Sequence, residues 1–225
     1  MPENGTTGAS LRHVVEGADQ PQQLASALQE RGFRLAQVTR EDSDAMFAFL
    51  QTVAPVSEPR QPHRLRFPYN QGVMLAAWRA LYFRPGEYQP DAKQSAEWNR
   101  GAYLVEGLGH CNACHTSRNA LGASETGVDL AGGMIPVLNW YAPALAASRE
   151  AGVQHWREDD IVALLKTGVA PGASVLGPMA EVVYESLQHA DEAELRAMAV
   201  YLRSLPIREL QAPRRASTTA SVTAA

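Results

Sequence analysis

Apolar side chains recur three and four residues apart in several stretches of this chain, and runs rich in glycine and proline separate them. That period is helical. Over residues 39–53 (TREDSDAMFAFLQTV), Thr39 is placed as N-cap, acids fill the first turn, and Met46, Phe47, Phe49 and Leu50 follow. Residues 71–83 predict a second helix with Met74, Leu75, Trp78 and Leu81 on its apolar face. A third begins after Ser95, with Glu97 in its first turn, and carries Trp98, Ala102, Val105 and Leu108 or Gly109. Residues 158–167 predict a short helix with Ile161, Leu164 and Leu165 inward and Gly168 ending it. The clearest signal is the last. Asp191 and Glu194 form a D-x-x-E capping box, Leu195, Met198, Ala199 and Leu202 make one face, and Pro206 closes it. A short helix over 21–31, stopped by Gly32, is also expected.

The separators are as informative. Residues 1–19 are irregular, with Gly, Asn, Thr and Ser dominant. Residues 54–68 carry Pro55, Pro59, Pro62 and Pro68, the mark of an extended connector. Pro85, Gly86 and Pro90 make a loop. Residues 116–151 hold Gly122, Gly127, Gly132, Gly133, Pro136 and Pro143. A loop of that length belongs in a compact domain only if something fills its interior. A second loop, 169–178, leads to Met179. Beyond Arg208 the Ser/Thr/Ala-rich tail reads as disordered or a linker. No internal repeat is present. The expected class is all-α, in segments 1–38, 39–53, 54–94, 95–206 and 207–225.

Composition adds bounds. The 225 residues are 45% hydrophobic, enough for a core. A net charge of −4 gives no electrostatic case for nucleic acid. No run of apolar residues is long enough to span a membrane. The start, MPENGTTGASLRHVVEG, lacks the basic and apolar segments of a secretory signal.

Candidate chemistry is concentrated at Cys111-Asn112-Ala113-Cys114-His115, which contains both cysteines of the chain. C-x-x-C-H is the attachment signature of c-type heme. Two intervening residues let one tight turn present both sulfurs to one edge of the porphyrin, and the next residue places an imidazole beneath the iron. A thioredoxin-like dithiol would want a strand before the motif, whereas a helical pattern runs into it. A structural zinc site wants four ligands, and no second cysteine pair exists. Covalent heme is attached outside the bacterial cytoplasm, so the motif predicts a periplasmic protein although no leader is visible.

Helix, C-x-x-C-H, loop, short helix, methionine loop and final helix follow the order of a class I cytochrome c. NRGAYLVEGLGHCNACHTSRNALGA (99–123), NWYAPAL (139–145), GPMAEVV (177–183) and AMAVYLRSLP (197–206) resemble a heme domain of the multi-heme cytochrome c subunits of membrane-bound bacterial alcohol, aldehyde and gluconate dehydrogenases. The likeness extends over about residues 38–206. RFPYNQGVMLAAWRALYF resembles the connector between heme domains of that family, and residues 40–52 resemble the end of a preceding heme domain. That family usually has three heme motifs, and this chain has one. The resemblance implies a class I cytochrome c fold with a helical N-terminal extension. Residues 1–38 are then an irregular or degenerate segment.

His115 is the proximal iron ligand by its place in the motif. A distal methionine raises the potential and suits electron transfer. Met179, after the rigid Gly177-Pro178 and matching the family's GPM, is the first candidate. Met134 is second, and Met198 sits on a core face. The resemblance gives the Pro143 backbone oxygen to the His115 ring, which a metal-bound histidine uses for orientation, and Leu145 to packing on the heme. Arg118, Trp140 and Tyr141 are candidate propionate donors by resemblance and type. His110 is too close to His115 to reach the opposite face, and His155 and His189 are expected to be solvated. Gly101 is expected to allow close approach of the first heme-domain helix to Tyr201 or Leu202 of the last. Together these imply an electron carrier, not an enzyme, with one heme c and its iron. It would pass electrons from a dehydrogenase catalytic subunit to quinone or a downstream cytochrome or oxidase. The alternative is a heme catalyst or sensor with an open sixth position.

Overall fold

The structure is a computed structural model, and it describes residues 37–55, 57, 59, 62, 64–83, 86–124, 130–135, 138–147 and 149–207. The expectations for residues 1–36, for the tail from 208, and for Pro85, Gly127 and Pro136 lie outside those residues. The chain divides into two compact units, Met1–His110 and Cys111–Ala225.

In the first unit, α1 spans Arg40–Thr52 and α2 spans Gly72–Tyr82. The Thr39 side chain caps α1 by accepting from Asp42 N–H at 3.3 Å. Neither helix has a buried residue, and Met46, Phe49, Leu50, Met74, Leu75 and Leu81 are exposed. Their apolar stripes are real, but no described residue covers them. Helix α3, Ala96–Tyr103, is capped by Ser95, whose side chain accepts from Trp98 N–H. It buries Gly101, Ala102 and Tyr103. The Tyr103 hydroxyl donates to Asp42 at 2.5 Å and accepts from Thr39 N–H at 3.2 Å, tying α3 to the start of α1. Helix α3 then widens into a π turn over Leu104–Leu108, closed by Gly109 N–H to Leu104 O at 2.6 Å. The expected α-helical stripe therefore changes winding just before the motif. Such bulges are frequent at functional sites.

In the second unit, α4 (Asn112–His115) is one turn. The long glycine-rich loop is not wholly irregular. It holds an antiparallel hairpin, β1 (Gly133–Ile135) on β2 (Trp140–Ala142), with Gly133 opposite Ala142 and Ile135 opposite Trp140. Helix α5 (Glu158–Thr167) ends at Gly168 in the left-handed conformation, as expected. Its buried residues are Ile161, Val162 and Leu165. Leu164, expected inward, is partly exposed, and Val162 takes its place. The next loop contains a second hairpin, β3 (Val169–Ala170) on β4 (Ala173–Ser174), turning through Pro171 and a left-handed Gly172 (φ 81°).

Met179 does not sit in a loop. It occupies the first turn of α6 (Pro178–Glu185), with Pro178 leading in. A 3-10 turn over Leu187–His189 then reaches α7, Glu192–Ser204. Asp191 is its N-cap, but its side chain makes no cap hydrogen bond, so the expected capping box is not formed from that side. Helices α5 and α7 pack together, burying Ile161 and Leu165 with Leu195, Met198, Ala199 and Leu202. Arg196 pairs with Asp159 at 3.0 Å and Arg203 with Glu158 on this seam. Among the described residues the architecture is mostly helical with two small hairpins, compatible with a cytochrome c fold. No helix of the described residues is long and apolar enough to cross a membrane.

Candidate functional site

The turn of α4 brings the motif residues together. Cys111 O accepts from Cys114 N–H at 3.3 Å and from His115 N–H at 2.9 Å. Residues three and four apart share a face of a helical turn, so both sulfurs and the imidazole rise from one side. Cys111 and Cys114 are free thiols, each partly exposed, and His115 is 8% exposed. Burial pushes the Cys111 thiol up to about 11. A redox dithiol instead depends on a depressed first thiol. The shift of Cys111 is opposite to that one. Among the described residues no group of three or more His, Cys, Asp and Glu is placed to hold a metal ion.

The His115 ring is oriented by the main chain. Its Nδ1 donates to Pro143 O at 2.7 Å, which leaves Nε2 with the lone pair. Burial lowers the His115 pKa, and the Pro143 carbonyl partly opposes this. The shift favours the neutral imidazole, the form that ligates a metal. A buried neutral imidazole with Nε2 available, two unpaired thiols on the same turn and a downstream thioether are the donor set of heme c. The residues present fit that group.

The hairpin supplies the support. Gly132 N–H donates to His115 O at 2.8 Å, and Thr116 bridges to Gly132. A Cβ on Gly133 would lie 2.4 Å from Thr116 O, so β1 runs directly against the residue after His115. Beyond β2, Ala144 N–H donates to Glu150 Oε2 at 2.6 Å, and the Tyr141 hydroxyl donates to the same carboxylate at 3.1 Å. These bonds flank Pro143 and hold its carbonyl toward His115. Leu145 N–H donates to Leu130 O at 2.8 Å, and Gln154 Nε2 donates to Leu145 O at 2.8 Å.

No protein-family model matches the chain. A nicotinate dehydrogenase component of Pseudomonas putida is 45% identical over 166 residues, which is 73% of this chain and 14% of that protein. The fructose dehydrogenase cytochrome subunit of Gluconobacter japonicus is 37% identical over 201 residues, 88% of this chain and 40% of that subunit. A diheme cytochrome c-type protein of Cereibacter sphaeroides is 38% identical over 172 residues, 76% of this chain and 56% of that protein. The chain is a homologue of dehydrogenase cytochrome c subunits. It spans little more than half of the Cereibacter relative and less of the other two.

In this cytochrome c homologue the other expected site residues are placed as follows. Arg118 is exposed and donates to Ala113 O at 2.9 Å and Gly122 O at 3.1 Å, bracing the turn between the cysteines. Trp140 and Tyr141 are 44% and 47% exposed. Leu145, Pro143 and Met179 are partly buried, and Met134 is exposed on β1. His110 Nδ1 is 2.8 Å from Leu108 O, while His155 and His189 are exposed. Sequence reasoning missed Glu150, Gln154 and Thr116. Glu150 and Gln154 act through long-range bonds to main chain, which leave no periodic signal. The Thr116 hydroxyl is buried with no partner among the described residues. Its place directly after the motif was the available signal.

The Tyr141–Glu150 pair has a pH consequence. Burial, then the Glu150 hydrogen bond and charge, raise the Tyr141 phenol above its ordinary 10.0. The folded chain then binds more protons than the unfolded one in that range. The contact's stabilisation is present below pH 10 and lost as pH rises through the raised value. In an ultraviolet titration against wild type, Tyr141→Phe should delete a phenol ionising above 10. Deletion of a step at or below 10 would contradict the contact.

Proposed function

We propose that this chain carries one heme c and serves as a one-electron carrier. Cys111 and Cys114 would hold the group covalently, and His115 and Met179 would ligate its iron. The two thiols would do so as thioethers, each S–H adding across one vinyl C=C with nothing released and no oxidant needed. When bound, the iron supplies the Fe(III)/Fe(II) couple. The observation that carries the reading is the His115 geometry: a buried imidazole with Nδ1 spent on Pro143 O and Nε2 presented, on one turn with two unpaired thiols. With both residues bound, the iron would keep no position open for substrate, which suits electron transfer.

Residues 95–206 are the cytochrome domain in this reading. Residues 39–53 correspond to the end of a preceding heme domain, 54–94 to a connector, and 207–225 to a flexible tail. Leu145 would pack on the ring system, and Trp140 would lie toward the propionates, as would Arg118 and Tyr141 on release from Ala113 O, Gly122 O and Glu150. The exposed edge runs from Cys111 and Cys114 to Trp140, and is where electrons enter and leave. The relatives' names place them in dehydrogenases acting on an alcohol, fructose, gluconate or nicotinate. By extension the donor here is a dehydrogenase catalytic subunit, and the acceptor is quinone or a downstream cytochrome or oxidase. The location is the periplasm, at the inner membrane.

The test is made on protein produced in cells that attach heme covalently. Mass spectrometry should find one heme, and Cys111→Ser with Cys114→Ser should abolish it. The ferric protein should be low-spin with a far-red sulfur–iron band. A colourless product refutes the heme reading. A high-spin spectrum with fast carbon monoxide binding favours an open sixth position and refutes the carrier.

A further inference from the structure

Met179 is delivered by a short arm, and that arm is braced at two points. Upstream, Val175 N–H donates to Gly168 O at 2.9 Å, anchoring the β3–β4 hairpin to the end of α5. Downstream, Gly177 lies against Trp140. A Cβ built on Gly177 would fall 2.4 Å from Trp140 Cζ2, 2.6 Å from Cε2 and 2.8 Å from Cη2. The six-membered ring of the indole therefore lies on the Gly177 Cα, and a methyl group there would displace it. Gly177 has φ 55° and ψ −135°, a conformation for which glycine is suited. Leu176, between the two braces, is 70% exposed, so its side chain does not anchor the arm.

One residue separates Gly177 from Met179. It is Pro178, whose ring fixes φ and which leads into α6. Little rotational freedom remains between the indole contact and the Met179 Cα. Trp140 opens β2, and β2 runs directly into Pro143, whose carbonyl orients His115. A single four-residue segment thus reaches the supports of both candidate ligands.

We propose that Trp140 is a positioning residue for Met179: its ring braces Gly177, and β2 couples that brace to the carbonyl that aims His115. This rests on the reading of Met179 as a ligand. It differs from the expectation that Trp140 acts through its indole N–H toward a propionate. Packing needs the ring face, whereas hydrogen bonding needs the N–H.

The experiment compares heme-loaded wild type, Trp140→Phe, Trp140→Ala and Gly177→Ala. The readouts are the far-red sulfur–iron band of the ferric form and the carbon monoxide binding rate of the ferrous form. Trp140→Phe keeps an aromatic ring but lacks the Cζ2 and Cη2 carbons that meet Gly177, and should fall between wild type and Trp140→Ala. Trp140→Ala should lose more than about half the band and bind carbon monoxide on the order of tenfold faster, because the ligand-off population rises. Gly177→Ala should move both in the same direction with Trp140 intact. If Trp140→Phe keeps the full wild-type band and rate, the six-membered ring is not what holds Gly177 and the brace is overturned. Unchanged band and rate in Trp140→Ala overturn it also. Should Trp140→Ala not load heme, Gly177→Ala decides by the same two readouts, and no change there overturns the brace. A wild type without the band refutes Met179 ligation itself, a failure distinct from the others.

Discussion

In heme-loaded protein, Met179→Ala should remove the far-red sulfur–iron band and lower the midpoint potential by on the order of 0.2 V. A thioether favours the reduced iron, and axial ligands span about 0.8 V across heme proteins, so this shift is a modest share of what that position controls. The substitution should leave the fold nearly intact. Met179 is only partly buried, and the buried residue of α6 is Val183, at 5% exposure. Two other methionines make the comparison sharp. Met198 is 5% exposed on α7, and Met198→Ala should cost about 2–5 kcal/mol of stability with the band preserved. Met134 is 48% exposed on β1, and Met134→Ala should change neither. Potentiometry and denaturant unfolding separate the three. A Met179→Ala protein with the wild-type potential refutes the assignment, and loss of the band in Met134→Ala would transfer it to Met134.

Gly133→Ala should destabilise the protein by about 3 kcal/mol. The added carbon would meet Thr116 O at 2.4 Å, Thr116 C at 2.7 Å and Ser117 N at 3.1 Å. All three are backbone atoms and cannot rotate aside. Either β1 retreats and strains the Gly132–His115 hydrogen bond, or residues 115–116 shift and His115 pulls away from Pro143 O. Gly122→Ala is the control. Gly122 has φ 77° with nothing within 4 Å of its added carbon, so strain alone acts there, about 1 kcal/mol. The denaturant midpoint should fall much further for Gly133→Ala than for Gly122→Ala at unchanged m. Equal losses would mean that β1 does not press on the heme turn.

The residues that declared themselves in the sequence were those whose chemistry demands a fixed spacing. Cys111, Cys114 and His115 share a face because a helical turn requires it. Helices α1, α2, α5 and α7 lie within a residue or two of their expected bounds, since each carries enough periodic residues for the pattern to register. Other elements were too short or too local to read. Strands of two and three residues cannot show alternation, so both hairpins are indistinguishable from loop in the sequence. Helix α6 opens with Gly177-Pro178, a sequence that looks like a turn until the proline is seen to lead the helix. The π turn at Leu104–Leu108 is a change in hydrogen-bond step with no compositional mark. Glu150 looks like any surface acid. Its importance lies in reaching Ala144 N–H and the Tyr141 hydroxyl, partners set by the path of the loop. The apolar faces of α1 and α2 show the reverse case, a legible pattern whose partner is not among the described residues.

The acceptor for the His115 ring is a peptide oxygen. No exchange of side chain at position 143 can delete it, and any residue there would still offer a C=O. How strongly the imidazole donates electron density is accordingly inherited with the course of the main chain. Tuning by mutation has to work indirectly, by tilting or lengthening that one bond through its neighbours.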